Sequence, residues 1–187
     1  MTDNIAVWYA ARATGLVALL LLTATMLWGM LGPPRTGQGA SAGAERPARS
    51  PRFVVTLLHR NLSLLTLSFL GVHIGSSIID TYAGIGWLDA VIPFGSTYRP
   101  MWLGFGAVAF DLLLAVLVTS LLRARISLRL WRGLHWFAYL CWPLALVHAL
   151  GVGTDSRGGW PLVVTLLCCA AVAVAGLYRL SAPRSAT

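Results

Sequence analysis

Residues 58–73 read LHRNLSLLTLSFLGVH, a largely apolar stretch that carries a histidine near each end, fourteen residues apart. A second stretch, residues 134–148, reads LHWFAYLCWPLALVH and places its two histidines thirteen residues apart. These stretches hold all the histidines of the chain: His59, His73, His135 and His148. Each stretch belongs to an apolar run of the length that crosses a bilayer, about 20 residues. The four imidazoles are therefore predicted to lie at membrane depth.

The composition of the whole chain is typical of a membrane protein. Of its 187 residues, 57% are hydrophobic and 11% are charged, whereas soluble domains average about 45–50% apolar and about 25% charged residues. A soluble domain of this length could not bury so much apolar surface. Soluble enzymes, nucleic-acid-binding proteins and disordered proteins are therefore excluded. We predict an all-α integral membrane protein, because lipid offers the backbone of a span no hydrogen-bond partners except those within its own helix.

Five segments are predicted to span the membrane as a helical bundle: 6–31, 53–79, 101–122, 133–151 and 160–179. Residues 33–52 are rich in Gly, Pro, Ala and Arg and are predicted to form a flexible loop. Ten of the fourteen arginines lie in this loop, in the 123–132 segment or near the C-terminus. Because cytoplasmic segments are enriched in basic residues, we predict an outside N-terminus, a cytoplasmic C-terminus and a multi-pass protein of the cell membrane.

This topology makes the second and fourth spans parallel, so that their histidines form two levels. His59 and His135 are predicted near the cytoplasmic ends, and His73 and His148 toward the outer ends. The levels are about 20 Å apart at 1.5 Å per helical residue. Two imidazoles from neighbouring helices are the arrangement that ligates a haem iron from both sides. Helix–helix hydrogen bonding and pore lining are the alternative roles for an intramembrane histidine.

The two histidine spacings differ in helical phase. Fourteen residues make about 3.9 turns and return nearly to one face, but thirteen make about 3.6 turns. On an ideal helix, His135 and His148 would therefore point in different directions. Pro143 lies between them, and we predict that a kink at this proline re-aims His148.

Three charged residues are predicted to lie within or beside the spans. Arg12 lies about two turns into the first span, where it can pair with anionic haem propionates or extend to the membrane interface; we favour the propionate role. Arg60, beside His59, has the same alternatives, and anchoring at the cytoplasmic face is favoured. Asp111, within the third span, is left with three roles: a protonated acid, a partner of Arg60 or part of a proton path.

Together with WYAARATG at 8–15 and PFGSTYRPMW at 93–102, the two histidine-bearing stretches resemble the ferric reductase-like transmembrane domain. This family includes NADPH oxidases, ferric reductases and the haem-binding membrane subunits of bacterial methionine-sulfoxide repair. The resemblance covers about residues 8–180, and the small actinobacterial members look most similar. It implies two b-type haems whose iron is held by His59 with His135 and by His73 with His148. Family members generally have six spans, whereas five are predicted here.

The expected function is that of a cytochrome b, the haem subunit of a transmembrane oxidoreductase. A separate cytoplasmic flavoprotein reductase or a quinol is expected to donate electrons, because we find no flavin or nicotinamide domain in this chain. Ferric iron, oxygen, a quinone or a periplasmic protein is expected to accept them outside, and no acid–base catalytic residue is required. Two alternatives remain: a non-redox transporter or channel subunit whose histidines handle protons or metal ions, and a haem-bearing anchor of a partner enzyme.

Overall fold

The computed structural model describes residues 3–31, 51–153 and 158–181. Within these ranges the chain forms helices and no strand. The helices are α1 (Asp3–Leu31), α2 (Pro51–Ile79), α3 (Pro100–Leu121), α4 (Leu128–His135), α5 (Ala138–Val152) and α6 (Gly159–Ser181). Five segments are long and apolar enough to cross a membrane, with α4 and α5 together forming the fourth. The predicted helical fold is therefore confirmed, and in the described residues each of the five predicted spans corresponds to a segment long and apolar enough to cross a membrane.

The predicted loop 33–52 lies outside the described residues, except at its end. Pro51 and Arg52 belong to α2, so the helix begins two residues earlier than the hydrophobic run. Proline is well suited to a first helical turn, because its missing N–H has no partner within the helix there. The boundary was misplaced because an arginine and a proline are common both in loops and in first turns.

Two helical hairpins form the bundle. Helix α1 packs along α2, and α3 packs along α4 and α5. Helix α1 also contacts α5 and α6, so it joins the hairpins and supports the last helix. Small buried residues such as Ala11 and Ala18 on α1 and Ala107 on α3 allow this close approach. By contrast, α2 and α5 do not pack closely against one another in the described part of the chain, although both carry histidines.

Side-chain hydrogen bonds tie α1 to its neighbours. Trp142 of α5 donates through Nε1 to Oγ1 of Thr23 at 2.8 Å, and both residues are buried. Arg179 of α6 donates to the backbone carbonyl of Met30, near the end of α1. The last carbonyls of a helix have no partner within it, so this arginine satisfies one of them. Both contacts hold the C-terminal half of α1 against helices that are distant in sequence.

Replacing Thr23 by valine is expected to lower the free energy of unfolding by about 1 kcal/mol, since Trp142 loses its acceptor. Thermal denaturation in detergent measures the change. Thr25→Val is a suitable control, because the Thr25 hydroxyl donates only within α1, to Leu21 at 2.8 Å. An equal loss in both variants would contradict a specific role for the contact between α1 and α5.

The fourth span is interrupted directly after His135. Trp136 and Phe137 lie in a turn between α4 and α5. The backbone N–H of Phe137 donates to Leu134 at 3.1 Å, and that of Tyr139 donates to Trp136 at 3.0 Å. Both bonds join residues three apart, which is the spacing of a 3₁₀ helix. The chain is therefore wound more tightly here than in the helices on either side.

This tighter winding corrects the direction of the second histidine. Thirteen residues of ideal α-helix leave His135 and His148 about 140° apart around the axis. Each residue at 3₁₀ spacing adds about 20°, so that four or five of them reduce the offset to about 50°. The fourteen-residue spacing on α2 gives a similar offset, about 40°. The change of phase predicted at Pro143 therefore lies at residues 136–140, and Pro143 itself lies inside α5.

Candidate metal-ligand site formed by two histidine pairs

The four histidines form two pairs, each of which joins α2 to the fourth span. The imidazole centroids of His73 and His148 are 6.3 Å apart, and their ring planes are inclined at 80°. The centroids of His59 and His135 are 6.2 Å apart, with an inclination of 63°. The structure thus brings together the residues that the sequence placed at one level.

Both centroid distances match those of two imidazoles on one metal ion. With a metal–imidazole bond of about 2.0 Å and about 1.1 Å from the bonded nitrogen to its ring centre, collinear ligands have centroids about 6.2 Å apart. Rings joined by a direct hydrogen bond would be closer, whereas edge-to-face ring packing falls in the same range. The spacing is compatible with two imidazoles on one metal ion at each level.

Backbone carbonyls fix the tautomer of the His73–His148 pair. Nδ1 of His73 lies 2.7 Å from the oxygen of Ala11, and Nδ1 of His148 lies 3.0 Å from the oxygen of Trp102. A carbonyl oxygen can only accept, so Nδ1 carries the proton in both rings. A neutral ring then keeps its lone pair on Nε2, the atom that a metal needs. Histidines that bind metals commonly donate their other N–H to a carbonyl in this way.

Two glycines provide the space for these hydrogen bonds. A Cβ at Gly15 would lie 2.8 Å from Nδ1 of His73, and a Cβ at Gly106 would lie 2.5 Å from Nδ1 of His148. Neither glycine was among the site residues predicted from the sequence. A signal was available, because glycine inside a helix costs about 0.5–1 kcal/mol relative to alanine and therefore indicates a need for room. The sequence alone does not identify the imidazole that needs this room, because the imidazole belongs to another helix.

The His59–His135 pair has different surroundings. Nδ1 of each ring is buried and has no hydrogen-bond partner among the described residues; the backbone of Thr25 faces His59 without reaching hydrogen-bond geometry. Trp131 stacks on His135, with ring centroids 4.9 Å apart and planes inclined at 23°. The guanidinium of Arg123 lies 4.9 Å from the centre of the Trp131 ring. Buried nitrogens without partners are rare, and neither Nδ1 atom has the carbonyl acceptor that its counterpart has in the His73–His148 pair.

Arg12 lies at the level of the His73–His148 pair. Its guanidinium carbon is 4.5 Å from the centre of the Trp8 ring, and it directly follows Ala11, whose carbonyl accepts from His73. The side chain of Arg60 is exposed, which favours the anchoring role over a contact with the histidines.

Arg99 lies near the same pair from the other hairpin. Its Nη1 donates to the carbonyl of Gly151 at 2.6 Å, about one turn beyond His148. Its backbone has a positive φ of 42°, and it directly precedes α3. Its closeness to the histidine could not be predicted from the sequence, because it is set by the packing of α3 on α5.

No group of three or more histidine, cysteine, aspartate or glutamate side chains that could hold a metal ion occurs among the residues that the structure describes. The described donor set is therefore two imidazoles at each level. Comparison of the chain with protein-family models, with characterised proteins and with solved structures gives no match.

Proposed function

We propose that this chain is a membrane cytochrome b that carries electrons across the bilayer through two haems with bis-histidine ligation. The observation that supports the proposal most directly is the shared centroid spacing, 6.2 Å at His59–His135 and 6.3 Å at His73–His148. Haem bound at these levels would supply a one-electron Fe(III)/Fe(II) couple. His59, His135, His73 and His148 would hold the haem iron, and the chain would set their orientation and surround them with a low-dielectric bundle.

The number of ligands favours haem over a bare metal ion. Two imidazoles leave the preferred coordination shell of a transition metal incomplete. A porphyrin would complete it, because it would supply the remaining nitrogen ligands itself and would need only the two imidazoles from the protein. A transporter that bound bare metal ions would need further side-chain ligands at each level.

The helices that carry the ligands also leave room for a flat macrocycle. The backbones of α2 and α5 do not approach closely along their histidine faces. This separation of the two backbones is consistent with a large planar group lying between the helices.

We further propose that the His59–His135 level faces the cytoplasm and the His73–His148 level faces outward. The arginines of residues 123–132 support this orientation, because basic residues concentrate on the cytoplasmic side. The proposed donor is a separate cytoplasmic flavoprotein reductase or a quinol, and the proposed acceptor is ferric iron, oxygen, a quinone or a periplasmic protein. Exposed Arg125, Arg129 and Arg132 favour contact with anionic lipid headgroups there.

The purified protein is expected to absorb as a b-type cytochrome. After expression with sufficient haem, we expect a Soret band, a reduced α band at the b-type position and two haems per chain. The pyridine haemochrome assay measures the ratio, and a variant in which all four histidines are alanine serves as the control. A colourless wild-type protein that is folded and monodisperse would contradict the proposed function and favour a non-redox membrane protein.

A further inference from the structure

The two histidine pairs differ in how their second ring nitrogens are held. In the His73–His148 pair, both Nδ1 atoms donate to backbone carbonyls, at 2.7 and 3.0 Å. In the His59–His135 pair, both Nδ1 atoms are buried without a hydrogen-bond partner among the described residues. All four candidate ligands are histidines, but the two pairs differ in the hydrogen bonding of Nδ1.

The hydrogen bonds of the His73–His148 pair come from one local arrangement, a carbonyl followed four residues later by a glycine, which occurs on both α1 and α3. On α1, the carbonyl of Ala11 accepts from His73 and Gly15 lies four residues later; on α3, Trp102 and Gly106 repeat the arrangement toward His148. A helical carbonyl normally accepts from the N–H four residues later, so each glycine shares its acceptor with an imidazole, as three-centre hydrogen bonds allow. The missing side chain lets the ring lie against the helix backbone.

Because this carbonyl–glycine arrangement occurs on two helices, we infer that it serves the histidine rings specifically. The helices α1 and α3 belong to different hairpins and approach different ligands, yet each presents a carbonyl and a glycine at the same spacing. Gly29 gives the contrast within α1. It lies four residues after Thr25, whose backbone faces His59, but a Cβ at Gly29 would meet only the hydroxyl of Tyr139, at 3.9 Å. The ring of His59 is not seated on its helix in the same way.

We propose that the Ala11–Gly15 and Trp102–Gly106 segments are positioning elements for His73 and His148, and that they make the haem of this pair the tighter-bound and lower-potential one. The inference rests on the proposed function. A hydrogen bond donated by Nδ1 makes an imidazole a stronger electron donor through Nε2. The more positive ferric state is then stabilised relative to the ferrous state, which lowers the reduction potential.

Nearby charges do not by themselves account for a difference in reduction potential between the two levels. Arg12 and Arg99 lie near the His73–His148 pair. At the other level, Arg60 follows His59 in the chain, and Arg123 reaches His135 through Trp131. Arginines therefore accompany both levels, although the side chain of Arg60 is exposed. The hydrogen bonding of the ligands is the difference that the variants below test.

The experiment compares Gly15→Ala and Gly106→Ala in the full chain with Gly29→Ala as the matched control. We expect either of the first two changes to displace one histidine ring and to weaken haem retention at that site roughly 10–100-fold. The potential of that haem should rise by about 59 mV if the reduction equilibrium changes tenfold. Potentiometric titration of the α band, together with the low-spin ferric electron paramagnetic resonance signals, resolves the two haems. His73→Ala and His59→Ala assign each signal to its level.

Gly29→Ala should leave both potentials and both signals unchanged. The inference is overturned if Gly15→Ala and Gly106→Ala shift neither haem, or if all three alanine variants shift both haems equally. It is also overturned if the lower-potential haem of the wild type is the one that survives His73→Ala, a comparison that requires no glycine variant to fold. A wild type that binds no haem would instead remove the proposed function, so the two failures are distinguishable.

Discussion

Replacing His73 or His148 by alanine is expected to remove one of two haems and to leave the other in place. Each change takes one of the two protein ligands from the same iron, and we expect haem held by the remaining imidazole alone to be lost during purification in detergent. The remaining level should be unaffected, because it lies about 21 Å away along α2 at 1.5 Å per residue, and distant sites behave independently. The haem-to-protein ratio and the number of low-spin ferric signals measure the result.

Double variants test the pairing itself. Replacing both His73 and His148 should cost no more haem than either single change, since both ligands serve one site. Replacing His73 together with His135 should remove both haems, since each site then loses a ligand. Size-exclusion chromatography in detergent checks that the variants remain folded. If the variant lacking His73 and His135 kept one haem at full occupancy, the pairing between α2 and the fourth span would be wrong.

Electron transfer across a sealed vesicle is expected to require both levels. We expect reconstituted wild-type protein to oxidise an external membrane-impermeant reductant at the expense of ferricyanide trapped inside. A charge cannot readily enter hydrocarbon about 30 Å thick without a carrier, and one haem lies near only one face of the membrane. Loss of either haem, through His59→Ala or His148→Ala, should reduce the rate to that of protein-free vesicles. The trapped ferricyanide absorbance follows the reaction.

The control for this measurement is Gly29→Ala, which changes α1 without touching a histidine ring. It should transfer electrons at the wild-type rate. If the wild type binds two haems but transfers electrons no faster than empty vesicles, the haems serve a structural role, as in a membrane anchor of a partner enzyme. A normal rate in His59→Ala would also contradict relay through both levels.

The sequence predicted the spans and the two histidine levels because both follow from the chemistry of lipid. Apolar runs of sufficient length must be helical in a bilayer, and ionisable side chains there are too costly to occur without a role. The four histidines of this chain therefore stood out against their apolar surroundings. In the structure, the ring centroids of His59 and His135 lie 6.2 Å apart and those of His73 and His148 lie 6.3 Å apart, so the histidines pair as the two levels predict.

The turn that directs His148 toward His73 could not be predicted, because Trp136 and Phe137 give no local signal for a tight turn. Pro143 drew the prediction instead, since proline is the usual cause of a kink. The acceptors for His73 and His148 were equally hidden. They are backbone carbonyls, which every residue has, and only helix packing decides which of them meets an imidazole.

The loose approach of α2 to α5 has a consequence for biogenesis. The α1–α2 and α3–α5 hairpins each pack well internally, but α2 meets the fourth span mainly through the paired histidines. A cofactor that binds only the closed bundle stabilises it by mass action. We expect the hairpins to insert first and to close late in assembly, so that haem supply rather than chain synthesis limits how much mature protein accumulates.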